Sequence, residues 1–304
     1  MLSAGEHFKN QTTRRRSVRK ALPFVAAIVL FVALIFGGYK WSIHRGTNSL
    51  GEPAAASNSV RIYGEMKESE QLDFIRAQEQ RISAMMGDRP AALDEEALRT
   101  IKRYVDRYLT RGNGSATAGK DDLQVIFSRP LPYLPTIARS FAARKVPIII
   151  GIYLPMIESE YRPCFESNLG GKGLFQFLPE TAQRYGVAPD ARCDVEQEAP
   201  AAASYIADHM AELGDDAESM TLVLLSYNRG ASWVRGTLRQ LRDSDNYERT
   251  FWTLFKNRNR LDESFRNEGA GYVPMFFAAA IIGENPETFG LKLEPLSTLA
   301  SAPR

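Results

Sequence analysis

Histidine and cysteine are nearly absent from this chain. Its 304 residues include three histidines, His7, His44 and His209, and two cysteines, Cys164 and Cys193. Only His209 lies beyond the N-terminal segment, so a His-rich metal centre or a Ser–His–Asp array lacks material. His209 itself falls in an Ala-rich helical stretch, Ala201 to Leu213, and reads as a packing residue. Chemistry here must rest on carboxylates, amides and hydroxyls, with no metal and no cofactor. Alternating strand patterns of useful length are also missing, which points to an all-α fold. A basic surplus is missing from the main body as well. Six basic residues against Glu6 give the first twenty residues a charge of +5, and Lys40 and Arg45 add two more. A chain of net charge +2 therefore leaves −5 for everything after Arg45. Such a body offers no clustered basic face to a phosphate backbone, which argues against nucleic acid as a partner.

One long apolar run is present. Ala21 to Tyr39 gives 19 residues without a charge, ended by Lys40. As a helix at about 1.5 Å per residue it is long enough to approach the thickness of a hydrocarbon core. The basic residues 1–20 before it predict a cytoplasmic N-terminus, with Tyr39 and Trp41 at the outer interface. A cleaved signal peptide is the competing reading. Its apolar core is shorter, and Ala54-Ala55-Ala56 lies too far downstream to serve as its cleavage site. The expectation is a single-pass anchor in the inner membrane, with the remainder in the periplasm. Residues 46–59 are small, polar and broken by proline, as in a flexible linker.

From residue 60 the pattern is helical. Apolar residues at helical spacing predict helices over Met66 to Met86 and Leu93 to Leu109;. The run Arg111-Gly112-Asn113-Gly114-Ser115 stops the second, Asp121 can cap a short third, and Pro130 and Pro132 introduce Leu134 to Arg144. Residues 60–130 read as a helical collar, 131–291 as the main domain and 292–304 as a tail.

Pro147 suits the first position of a helix reaching about Tyr161. Pro155 inside it lacks the N–H that would bond to the Gly151 carbonyl and should bend it, one turn before Glu158. Glu158 follows a deeply apolar run. Burial there would raise its pKa, as a general acid at neutral pH requires. A helix-end glutamate turned to water fits this helix equally well.

The residues after Glu158 are more specific. They are Glu158-Ser159-Glu160-Tyr161, then Ser167-Asn168-Leu169-Gly170-Gly171-Lys172-Gly173-Leu174-Phe175-Gln176-Phe177, then Pro179 and Thr181-Ala182. Ser226-Tyr227-Asn228-Arg229-Gly230 and Glu268-Gly269-Ala270-Gly271-Tyr272-Val273-Pro274 come later. Ser167 stands nine residues after Glu158, and Gln176 nine after Ser167. This order resembles the catalytic domain of the family 1 lytic transglycosylases, of the soluble-lytic-transglycosylase type and nearest a membrane-bound subgroup. It covers about Leu131 to Leu291. The resemblance implies a lysozyme-like helical domain acting on peptidoglycan glycan strands, with Glu158 as the sole acid–base. It would protonate the glycosidic oxygen, then deprotonate the muramic 6-hydroxyl as that oxygen closes a 1,6-anhydro ring. It further implies that Ser167, Gly173, Phe175, Gln176, Tyr227, Asn228, Glu268 and Tyr272 line the sugar site, Tyr272 touching the sugar or the catalytic carboxylate. Lys172 and Arg229 depart from the family pattern, which bears on subsites rather than on chemistry.

In an oxidising compartment Cys164 and Cys193 read as a disulfide, worth about 3–4 kcal/mol on a chain-entropy account. Two free buried thiols are the other reading. No wall-binding repeat follows Leu291, so targeting falls to the anchor, the collar or a cell-envelope protein partner. A water-using muramidase on the same fold and an inactive wall-binding scaffold remain as alternatives.

Overall fold

The computed structural model describes residues 60–112, 121–214, 220–243 and 247–301. The basic segment, the candidate anchor at 21–39 and the linker at 46–59 lie outside these residues. Among the described residues no helix is long and apolar enough to cross a membrane.

Twelve α-helices are described: α1 Glu68–Met86, α2 Glu95–Gly112, α3 Leu123–Ser128, α4 Leu134–Ala143, α5 Ile148–Ser159, α6 Pro179–Arg184, α7 Val195–Leu213, α8 Met220–Arg229, α9 Ala231–Leu241, α10 Phe251–Lys256, α11 Ala270–Glu284 and α12 Leu296–Ser301. No strand occurs among the described residues, only isolated bridges joining Lys172 to Glu166 and Phe177. The all-α expectation therefore holds for the described chain. One cap shifts by a residue. Asp122, not Asp121, caps α3, accepting the Gln124 N–H at 2.8 Å. Asp121 instead pairs with Arg129.

The core is built around α11. Its residues are apolar on every side, as befits a helix enclosed by others;. It packs along α2 and α5, while α4 packs on α5 and α7, and α7 on α8. Residues of the collar, among them Ile75, Ile82, Leu98 and Ile101, are fully buried in the same apolar cluster as the main domain. The collar therefore shares its core with the domain it precedes. One buried carboxylate fastens several of these helices. Glu284 on α11 accepts the Tyr153 hydroxyl of α5 at 2.7 Å and the Ser297 hydroxyl and N–H of α12 at 2.5 and 3.0 Å. Arg81 of α1 reaches it at 3.3 Å. A buried charge is tolerable when its lone pairs are filled in this way.

Inside α5, Pro155 stands as the sequence shows it. Gly151 has a further reason to be glycine. A Cβ there would stand 2.8 Å from Ile137 and from Phe141, so α4 crosses α5 at closest range where Gly151 lacks a side chain.

Candidate active site

The apolar run of α5 drives it into the core and leaves its last residues to carry polar groups. Ser159 is fully buried, and its hydroxyl donates to the Leu174 carbonyl at 2.9 Å. Glu160 takes left-handed backbone (φ 52°) and ends the helix;. Its carboxylate turns to Arg111, and its carbonyl accepts Arg129 Nη1 at 3.1 Å. Glu160 is thus occupied away from Glu158, consistent with two residues along a helix facing different ways.

Glu158 is partly buried and receives a hydrogen bond from the Tyr272 hydroxyl of α11 on Oε1. Desolvation pushes its pKa from 4.5 up to about 7, and the Tyr272 bond opposes that rise by favouring the charged form;. Tyr227 on α8 is close enough to feel the same charge. Burial lifts the Tyr227 and Tyr272 hydroxyls well above the ordinary phenol range, so both remain protonated donors. A carboxyl balanced near neutrality can give a proton in one step and take one in the next.

The loop between α5 and α6 forms the neighbouring wall, and most of its polar groups are spent on its own shape. The Ser167 N–H donates to the Gly171 carbonyl at 2.8 Å, and the Gly171 N–H returns to Ser167 Oγ at 3.0 Å. Gln176 has left-handed backbone (φ 52°), and its Nε2 donates to the carbonyls of Phe165 and Gly173 at 2.9 Å each. Lys172 pairs with Glu166 at 3.1 Å. Phe175 is buried against Phe141, with ring centroids 6.1 Å apart. Its carbonyl accepts the Tyr227 hydroxyl at 2.7 Å, which ties the loop to α8 beside Glu158. Asn228 and Glu268 are exposed, at the end of α8 and in the π-helical turn Phe265–Gly269 that leads into α11.

Two residues absent from the sequence reading hold this loop from beneath. Arg192 Nη1 donates to the carbonyls of Gly170 and Phe177 at 2.7 and 2.8 Å. Glu198, fully buried near the start of α7, accepts the Leu174 N–H at 3.0 Å on Oε2. Burial raises its pKa to about 8. Its Oε1 has no partner. A Cβ on Gly173 would stand 1.8 Å from the Arg192 carbonyl oxygen and 2.1 Å from that Oε1, so the two oxygens are near neighbours. A proton on Oε1 would let it donate to the Arg192 carbonyl, which accounts for an otherwise orphaned atom. Gly173, at φ 85°, is the one residue type that fits between them;. Cys164 and Cys193 are bonded, with Cα atoms 5.0 Å apart, and this links the loop to the approach to α7.

Tyr205 was also not singled out by sequence. It sits on α7 with its ring 5.2 Å from Tyr227 and from Tyr185, and 6.1 Å from Phe177. These rings form an aromatic lane running up to Tyr227 beside Glu158. Periodicity marks α7 as a helix but does not say which of its residues reach this wall. His209 is buried beneath the lane, its ring 4.2 Å from Tyr205 and its Nδ1 2.5 Å from Ser226 Oγ. Burial lowers its pKa, in keeping with a packing role.

Fold and site together define a helical domain that, among the described residues, presents one partly buried acid beside an aromatic wall. Residues 142–250 match the family model "Transglycosylase SLT domain". Over 175 residues the chain is 24% identical to membrane-bound lytic murein transglycosylase D of Escherichia coli K12, and equally to the protein of that name in E. coli O6:H1. The match covers 57% of this chain but 36% of each relative, so the chain spans little more than a third of these curated proteins. These matches support assignment to the family 1 lytic transglycosylases.

Proposed function

We propose that this protein is a peptidoglycan lytic transglycosylase that cleaves the β-1,4 bond between N-acetylmuramic acid and N-acetylglucosamine and leaves 1,6-anhydro ends. The observation that carries the proposal is Glu158, one carboxyl set near neutrality by burial and by Tyr272, while Glu160 is tied to Arg111. A glycosidase with two working carboxylates holds them facing one another across the scissile bond. With one, the nucleophile must come from elsewhere, and the muramic 6-hydroxyl is already attached to the substrate. Protonated Glu158 gives its proton to the glycosidic oxygen as the C1–O bond breaks. Ionised Glu158 then takes the 6-hydroxyl proton as O6 bonds to C1, so the acid is restored and no water enters. No cofactor is needed for this balance.

Ser167, Gly173, Phe175 and Gln176 would shape the loop wall of the sugar site, and Tyr227, Asn228, Glu268 and Tyr272 its helical side. Residues 131–291 would form the catalytic domain and 60–130 its collar. Residues 21–39 would anchor the chain in the inner membrane, with residues 1–20 in the cytoplasm and the catalytic domain in the periplasm. An oxidising compartment suits the Cys164–Cys193 bond.

The test is digestion of purified peptidoglycan by the full chain and by Glu158→Gln, with the released muropeptides weighed. Products one water lighter than hydrolysis products, with ends that borohydride does not reduce, are expected. The variant should lose at least about 100-fold in rate. Ordinary reducing ends would establish a muramidase instead, and binding without release, unchanged in the variant, would establish a scaffold.

A further inference from the structure

A second concavity lies against the catalytic end of α5. It is a cleft of about 110 Å³ between α2, α5 and α11, lined by Tyr104, Tyr108, Met156, Ile157 and Met275 and edged by Arg107, Arg111 and the carboxylate of Glu160. It adjoins the Glu158 site along two helices. Its lining residue Ile157 directly precedes Glu158, and Met275 stands about one turn along α11 from Tyr272;. Its α2 wall belongs to the collar, outside the residues 142–250 matched by the transglycosylase domain.

The charge of this wall is unlike that of the sugar site. Arg103, Arg107 and Arg111 recur every fourth residue and so share one face of α2;. Arg103 donates to the Thr100 hydroxyl at 3.0 Å and makes no ion pair among the described residues. Arg111 is paired with Glu160. Arg107 is exposed and makes no ion pair among the described residues, while the nearby Asp106 pairs with Lys102 at 2.7 Å. Neutral sugar hydroxyls and acetamido groups do not call for guanidinium groups. An arginine stripe over an apolar floor suits a ligand that joins small apolar groups to a carboxylate.

We propose that this cleft is a subsite for the acidic peptide carried by muramic acid in peptidoglycan. A small apolar side chain of the peptide would pack on Met156 and Met275, and a carboxylate would be held by Arg107, with Arg111 already balanced by Glu160. This rests on the transglycosylase reading and adds that the collar helps to select peptide-bearing strands.

Two measurements test it. In the first, the full chain, Arg107→Glu and Arg107→Lys cleave intact peptidoglycan and glycan strands stripped of peptide by an amidase. The ratio of kcat/KM for intact over stripped strands should fall about tenfold or more in Arg107→Glu, the worth of one charge-assisted hydrogen bond. Arg107→Lys should restore part of it. A ratio unchanged in Arg107→Glu, whether total activity survives or falls, overturns the proposal. In the second, the peptides released by the amidase are titrated against the same proteins. Wild-type binding that Arg107→Glu weakens supports the subsite even if the chain cleaves nothing, an outcome that would sink only the lyase reading. No binding to the wild type counts against the subsite.

Discussion

The Tyr272 hydroxyl and the Glu158 carboxylate, 114 residues apart in sequence, are joined by one hydrogen bond. The bond stabilises the ionised carboxylate, so it works against the burial that lifts Glu158 to about 7. Tyr272→Phe removes the donor while keeping the ring. The sign follows: with the charged form less favoured, the Glu158 pKa rises further. The alkaline limb of the kcat/KM profile on peptidoglycan should move up by about one pH unit. The maximal rate should fall, because the step that needs ionised Glu158 loses its support. A limb that stays in place would mean that Tyr272 contacts only the sugar.

Gly173 and Gly170 allow a controlled comparison within one loop. Both have left-handed backbone, at φ 85° and 83°. Beyond Gly173 stand the Arg192 carbonyl and Glu198, whereas nothing lies within 4 Å of a Cβ on Gly170. Gly170→Ala should cost only backbone strain, about 1 kcal/mol. Gly173→Ala should cost several times as much, because backbone and a buried carboxyl must both shift. Thermal or urea unfolding of the two variants measures the gap. Equal losses would show that the loop yields at Gly173.

The bond between Cys164 and Cys193 spans 29 residues of chain that include the whole site loop. On the chain-entropy account its removal should cost about 3–4 kcal/mol. Cys164→Ser/Cys193→Ser should therefore unfold at lower denaturant, and reductant should lower the midpoint of the wild type but not of the double variant. Early proteolysis between residues 164 and 193 in the variant would show that the loop loosens first.

Which parts of the site are legible in sequence follows from the range of the forces involved. Glu158 can be found because the apolar run before it fixes the helix and the spaced motifs after it single it out, although the run alone leaves its burial open. Pro147, Pro155 and the spaced glycines are legible because their backbone preferences are local. The direction of a loop side chain is not local. Ser167 and Gln176 are picked out by their spacing, yet their polar atoms are largely engaged in holding the loop together. Arg192 and Glu198 escape notice because their task, satisfying buried backbone groups 15 to 24 residues earlier, exists only once the loop has folded over α7. Asp121 and Asp122 show the finest limit, since two adjacent aspartates can each cap a helix and only the register of α3 decides between them.

Glu198 gives the sharpest test of that hidden support. Its pKa is raised from 4.5 in the unfolded chain to about 8 in the fold, so between these values the folded protein holds the proton more tightly. Bound protons then favour the fold. Stability should be greatest below about pH 4.5 as far as this group is concerned, and should decline as pH rises towards 8;. Glu158 and Glu79, each raised to about 7, contribute in the same direction. Glu198→Gln reproduces the protonated form. Its amide oxygen can accept the Leu174 N–H, and its Nε2 can donate towards the Arg192 carbonyl. The variant should fold at neutral pH and unfold with a flatter pH dependence between 4.5 and 8, keeping the slope from the other two carboxyls and the opposing one from buried His209, whose lowered pKa favours the fold as pH rises;. Glu198→Ala leaves the buried Leu174 N–H without its acceptor and should lose about 2–4 kcal/mol at pH 4.5, a deficit that narrows as pH rises and the wild type alone gives up the contribution of protonated Glu198;. Urea midpoints for the three proteins, measured from pH 4.5 to pH 8, decide the matter. A glutamine variant with the full wild-type slope would show that Glu198 is ionised throughout, and that its unpartnered oxygen carries no proton.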